Sequence, residues 1–123
     1  MDITEKIDKY LNEKNNNSFK KVGELYGKRG KYALYLSPKE TEKELDWDDA
    51  MDYCKSLGGE LPTLDELEYL YDNYKKEFHP TNYWSSSQDS ATHSWRMHFY
   101  NGTKYHYDQT HLSRVRAVKK VYI

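Results

Sequence analysis

Apolar side chains recur along this chain with two different periods, and the change between them divides it into a helical and a strand-rich part. Near the start, Ile3, Ile7, Tyr10 and Leu11 fall at helical spacing among charges, which predicts a short amphipathic helix over residues 3–13. The polar run Asn15-Asn16-Asn17-Ser18 ends it and serves as a linker or turn. Phe19, Val22, Leu25 and Tyr26 then lead into Gly27-Lys28-Arg29-Gly30, and Tyr32-Ala33-Leu34-Tyr35-Leu36 follows before Ser37-Pro38. This is a hairpin pattern whose second strand is apolar enough to be buried. Residues 39–45, including Lys39-Glu40-Thr41-Glu42-Lys43-Glu44, are expected to form a charged, solvated loop.

The two central helices carry the plainest signals. Trp47, Ala50, Met51, Cys54 and Leu57 form one stripe after Asp46, a suitable N-cap, and Gly58-Gly59 supplies a left-handed exit. Leu64, Leu67, Leu70, Tyr71 and Tyr74 form the next stripe, preceded by Pro62-Thr63-Leu64-Asp65-Glu66. In that segment Thr63 and Glu66 have the spacing of a capping box. Pro80 closes the helical region.

From residue 83 the period changes to two. Trp95, Met97 and Phe99 alternate with Arg96, His98 and Tyr100; after Asn101-Gly102, Tyr105 and Tyr107 alternate with Lys104, His106 and Asp108. A two-residue Asn-Gly turn would set Met97 against His106 and mix apolar with polar on both faces. A three-residue loop Tyr100-Asn101-Gly102, with Gly102 in a bulge, pairs Phe99 with Thr103, Met97 with Tyr105 and Trp95 with Tyr107. That register keeps the apolar set together and is the expected one. It leaves Arg96, His98, Lys104 and His106 on an outer face. Arg114-Val115-Arg116-Ala117-Val118 reads as a final strand, and no solenoid-type repeat is visible.

At 123 residues the chain has room for one domain, divided here into a helix and linker over 1–18 and a folded unit over 19–123. Aromatics at 15%, with 13 Tyr and 3 Trp, point to an aromatic core despite 32% charged residues. The net charge of -1 lacks the basic excess that duplex binding normally uses, so nucleic acid is not favoured as a partner. No apolar run is long enough to span a membrane, and the charged first residues lack a leader-like apolar stretch. Cys54 is the only cysteine, which forbids an internal disulfide. These features lead to an expected cytoplasmic location, in the host if the chain is phage-encoded.

The order of strand, helix, Gly58-Gly59-Glu60-Leu61-Pro62-Thr63, helix, Tyr83-Trp84-Ser85-Ser86-Ser87 and a Trp-containing hairpin carries a family likeness. Trp47-Asp48-Asp49-Ala50, Cys54, Glu66-Leu67, Trp95, Phe99, Asn101-Gly102 and Val115-Arg116-Ala117-Val118 add to it. Over residues 31–119 the chain resembles the bacterial and phage Lcl C-terminal-like domains, of the C-type-lectin-like and formylglycine-generating-enzyme fold group. The resemblance implies an α+β, C-type-lectin-like fold in which two helices flank a twisted, mainly antiparallel sheet, with the N-terminal helix as an addition. It also implies a role in recognition without naming a ligand. The disulfides, the acidic sugar-binding tripeptide and the Trp-Asn-Asp motif of calcium-dependent lectins are missing. A single helical Cys cannot supply the thiol chemistry of the formylglycine-generating enzymes.

Candidate chemistry is sparse. Cys54 sits on an apolar stripe and reads as a small core residue. His79, His93, His98, His106 and His111 show no zinc-site spacing, so neither a metal nor another cofactor is expected. Ser85 to Ser87 with His93 and Asp89 could be drawn as a hydrolytic triad, but no nucleophile elbow surrounds the serines. Trp47, Trp84 and Trp95 are placed in the core. The segment 88–113 mixes Gln88, Asp89, Tyr107 and His111 with Arg96, His98, Tyr100, Lys104, His106 and Asp108; the last six form the candidate binding site. The expected function is therefore a non-enzymatic module, of bacterial or phage origin, recognising a protein partner such as a host factor. Calcium-independent glycan binding and a small metal-assisted hydrolase are the alternatives, and self-association is compatible with the N-terminal helix.

Overall fold

The computed structural model describes residues 19–123, so the helix expected over 3–13 and the polar run after it lie outside the described residues. The first hairpin forms as the pattern predicts: β1 (Lys20–Gly27) and β2 (Gly30–Leu36) pair antiparallel, with Gly27 opposite Gly30. Two helices follow, α1 (Trp47–Ser56) and α2 (Leu64–Tyr74). Asp46 caps α1 by accepting from the Asp49 amide at 2.9 Å. At α2 both halves of the capping box are made, Thr63 Oγ1 accepting from the Glu66 amide and Glu66 Oε1 from the Thr63 amide. Gly58 leaves α1 with φ of 86°, as its place after the stripe requires.

The remaining strands are β3 (Lys43–Leu45), β4 (Asn82–Gln88), β5 (His93–His98), β6 (Lys104–Asp108), β7 (Ser113–Val115) and β8 (Val118–Tyr122). They build a three-stranded sheet, β1-β2-β8, and a five-stranded sheet, β3-β7-β4-β5-β6. All pairings are antiparallel except β4 with β7. The protein is thus a mixed α+β domain with mostly antiparallel strands.

Strand alternation places two cores on opposite faces of the large sheet. Tyr83 and Trp84 are neighbours on β4, both fully buried, and they point opposite ways. Tyr83 joins Met97, Phe99, Phe78, Leu67, Leu70 and residues of β2 in the core beneath α2. Trp84 joins Trp47, Ala50, Cys54, Leu61 and Val115 in the core beneath α1. Each indole N–H finds a carbonyl, Trp47 that of Ser85 at 2.9 Å and Trp84 that of Leu45 at 3.0 Å, so both rings are buried without stranding a donor.

Three sequence expectations are corrected. Residues 39–45 are not a loop: a 3-10 turn over Lys39–Thr41 leads into β3, and the Glu42 side chain between them is fully buried. The strand expected over 114–118 is two strands, β7 in the large sheet and β8 in the small one. The chain changes sheets at Arg116-Ala117, which lets Val115 and Val118 enter different cores. The register of the β5–β6 hairpin is also different. Met97 pairs with Lys104, Arg96 with Tyr105 and Trp95 with His106, around a four-residue loop Phe99–Gly102. Phe99 is the cause. It leaves the ladder, donates its amide to the Thr81 carbonyl at 2.9 Å, and stacks on Phe78 at 4.3 Å with Tyr71 and Tyr83 against its edges. Burying this ring among three others outweighs one more pair of ladder bonds.

Candidate functional site

The new register turns the predicted outer face into two. Residues paired across β5 and β6 share a face, so Arg96 and His98 project with Tyr105 and Tyr107 on the α1 side. Lys104, His106 and Asp108 project with Trp95 and Met97 on the α2 side. The six sequence-predicted site residues are therefore not one cluster. His98 is half-buried, and its Nδ1 accepts from the Tyr100 amide at 3.2 Å. Tyr100 is 68% exposed at the hairpin tip. Lys104 pairs with Glu68 of α2 at 2.9 Å, and His106 Nδ1 lies 3.7 Å from Asp89. Asp108 accepts from the Thr110 amide and hydroxyl at 2.8 and 2.7 Å; those bonds favour the carboxylate and lower its pKa.

Arg96 is the residue whose setting differs most from expectation. It is 8% exposed, not a surface group. Its guanidinium carbon lies 3.8 Å from the Tyr107 ring centroid, 4.8 Å from that of Tyr105 and 5.9 Å from that of Trp84. One terminal nitrogen donates to Ser113 Oγ at 2.8 Å and the other to the Tyr105 hydroxyl at 3.3 Å, while Nε has no partner. Among the described residues no carboxylate pairs with Arg96; the π faces of three rings supply the counter-field, each worth about 0.5–2 kcal/mol. The consequence reaches the surface. Tyr105 is further held by a hydrogen bond to Asn82 Oδ1. Tyr107, 37% exposed, has His111 edge-on at 4.7 Å, and 63%-exposed Leu112 follows in the same loop. A fixed ring thus stands at the surface on a buried cation.

Other groups with chemical potential are engaged in structure. Cys54 is fully buried, and burial pushes its thiol up to about 12, far from a thiolate at neutral pH. Ser85 donates to the Trp95 carbonyl at 2.6 Å, and Ser87 Oγ accepts from the Leu64 amide at 3.0 Å. His93 and His106 meet edge to face at 5.8 Å, yet among the described residues no three His, Cys, Asp or Glu side chains are grouped to hold a metal.

Two buried acids were not foreseen as centres. Glu42 accepts from Arg114 Nε at 2.6 Å, Arg116 at 3.0 Å and the Tyr83 hydroxyl at 2.7 Å, with His79 Nδ1 at 3.0 Å. Burial, reinforced by Glu42, raises the Tyr83 pKa above its ordinary value. Glu66 spends one oxygen on the cap and gives the other to Tyr32 at 2.7 Å and Lys120 at 3.2 Å. Burial opposes the Lys120 ammonium, but Glu66 and Glu60 outweigh it and raise its pKa. An arginine between Val115 and Ala117 was a sign that a buried acid exists; which acid was not readable locally.

With both cores, the two acid hubs and the Arg96 stack in place, comparison with known families decides the assignment. The Lcl C-terminal domain matches residues 13–119. The chain belongs to this family. No curated protein sequence matches it. The matched stretch of this Lcl C-terminal domain contains α1, α2, the whole five-stranded sheet and the first residues of β8. Among the described residues no helix is long and apolar enough to cross a membrane.

Proposed function

We propose that this Lcl C-terminal domain is a non-enzymatic binding module of C-type-lectin-like fold and bacterial or phage origin, which recognises a protein partner through the α1 side of the β5–β6 hairpin and the loop after it. The observation that carries the reading is the Tyr107 ring, fixed on the buried Arg96 with His111 edge-on beside it, and followed in the same loop by the exposed Leu112. Tyrosine and arginine anchors dominate protein interfaces, and a ring already immobilised loses little further freedom on binding. Two helices between an N-terminal hairpin and a mostly antiparallel C-terminal sheet support the lectin-like reading. The engaged state of Cys54, Ser85 and Ser87 favours binding over catalysis.

The test compares proteins captured from a host lysate by the wild type with those captured by Leu112→Asp and by Tyr107→Ala with His111→Ala. Arg96 is left intact, because its replacement would disturb the core. The expected result is a partner retained by the wild type and lost by both folded variants; identical capture overturns the assignment of the surface. The same ring could stack on a sugar, and a glycan array showing calcium-independent signal that Tyr107→Ala abolishes would decide for that alternative.

A further inference from the structure

The β6 edge of the large sheet, unpaired among the described residues, has a chemistry that matches itself. β6 ends the strand order β3-β7-β4-β5-β6, and its substantial packing within the described fold is against β5 alone. Two backbone bonds bracket that ladder, His98 N–H to Thr103 C=O and Gln109 N–H to Thr92 C=O, both 2.9 Å. Antiparallel pairing alternates, so Thr103, Tyr105, Tyr107 and Gln109 direct their backbone groups at β5. The amides of Lys104, His106 and Asp108, and the carbonyls of Lys104 and His106, face away from the sheet. The Asp108 carbonyl is taken by His111 N–H at 3.2 Å.

The strand sequence is Lys104-Tyr105-His106-Tyr107-Asp108. About a two-fold axis at His106, a second antiparallel copy sets Lys104 against Asp108 and Asp108 against Lys104. Tyr105 and Tyr107 meet in the same way, and His106 faces its own copy. The outward groups fall at the positions where this pairing forms hydrogen bonds, so register and backbone geometry agree. Side chains agree too: Lys104, His106 and Asp108 lie on one face, so both ion pairs form on the same side of the joined sheet. A slip of two residues would set Lys104 against His106 and lose both pairs. A lysine on an edge strand usually blocks edge pairing, but here an aspartate at the other end of a five-residue strand receives it.

We infer that the β6 edge is a self-association site, through which two copies of this chain join their five-stranded sheets antiparallel about His106. The contact is isologous, as closed dimers are, and distinct from the Leu112–His111 surface proposed for a partner. Lys104 shifts from its pairing with Glu68 to a shared position between Glu68 and Asp108 of the second copy.

Sedimentation equilibrium of the full chain, up to about 1 mM, tests this directly. The expected result is a concentration-dependent dimer. His106→Pro removes an outward amide that has no partner among the described residues, so it leaves circular dichroism and Tm near wild type and weakens the dimer by about tenfold or more. Lys104→Asp and Asp108→Lys each weaken it by repulsion, and the double variant Lys104→Asp/Asp108→Lys restores it. A monomer throughout overturns the inference. So does a dimer indifferent to His106→Pro, or one that the charge swap fails to rescue. Partner capture by a monomeric His106→Pro variant separates failure here from failure of the partner surface.

Discussion

At the scale of single residues, the structure turns on charged groups that look ordinary in the sequence. Glu42 sits in a stretch of alternating charge, yet its side chain is fully buried and is shared by Arg114 and by Arg116, the latter 3% exposed. Arg116 also donates to the carbonyls of Ser37 and Glu77, at 2.7 and 2.6 Å, which ties the sheet-changing corner to the end of the helical region. Removing Glu42 strands the buried Arg116 guanidinium and Tyr83 hydroxyl away from solvent, while Arg114 and His79 keep partial access to water. Glu42→Ala is therefore expected to cost about 3–5 kcal/mol, much more than a surface charge would. Urea denaturation checks it, with Glu44→Ala, from the exposed part of β3, as a control expected near zero. A loss under 1 kcal/mol at Glu42 would show that the arginines find other acceptors.

At the scale of elements, what was legible depended on whether the deciding contact was local. Both helices could be read because their stripes and caps lie within a few residues of each other. The prediction that follows is modest: Thr63→Ala removes one side of the capping box and should lower stability by about 1 kcal/mol, measured by the denaturation midpoint at constant m-value. Gly59 is stricter. A Cβ there would lie 2.4 Å from the Val118 carbonyl oxygen, in the bridge that joins Glu60 to β8. Gly59→Ala should therefore cost more than Thr63→Ala and raise hydrogen exchange at the Glu60 and Val118 amides; equal protection would show that β8 can shift. The elements that were misread depended on distant partners. Gathering apolar residues on one face aligns the C-terminal hairpin so that Tyr105 and Tyr107 share a face with Trp95 and Met97. They belong to Arg96 instead, and Phe99 is drawn out of the ladder by Phe78. Glu42 meets its arginines across 72 and 74 residues, beyond any local pattern. Of the candidate site, the sequence made legible only which residues lie in one segment; the face of each side chain followed from a register that long-range packing set.

At the scale of the whole molecule, the two cores share one response to pH. Cys54 lies in the core beneath α1, and burial raises its thiol from 9.0 to about 12. Tyr32 and Tyr83 lie in the core beneath α2, and burial with a neighbouring glutamate raises both phenols above 10.0. Lys120 of β8, held by Glu66 and Glu60, is raised above 10.5. In every case the folded state binds the proton more tightly than the unfolded chain does. The stability these groups contribute is complete below the unfolded values and is lost as pH rises from them through the higher folded ones. Unfolding free energy should thus be flat from pH 7 to about 9, then fall, each group adding up to about 1.4 kcal/mol per pH unit. The thiol acts first, because its unfolded value is the lowest. Cys54→Ala should cost some stability at pH 7 by leaving a small void, yet flatten the decline between about pH 9 and 10. Urea titrations at half-unit steps, with wild type and variant in parallel, separate the two effects. A decline of the same slope in the variant would place its origin outside the α1 core, in the phenols and Lys120 that Glu66 and Glu42 surround.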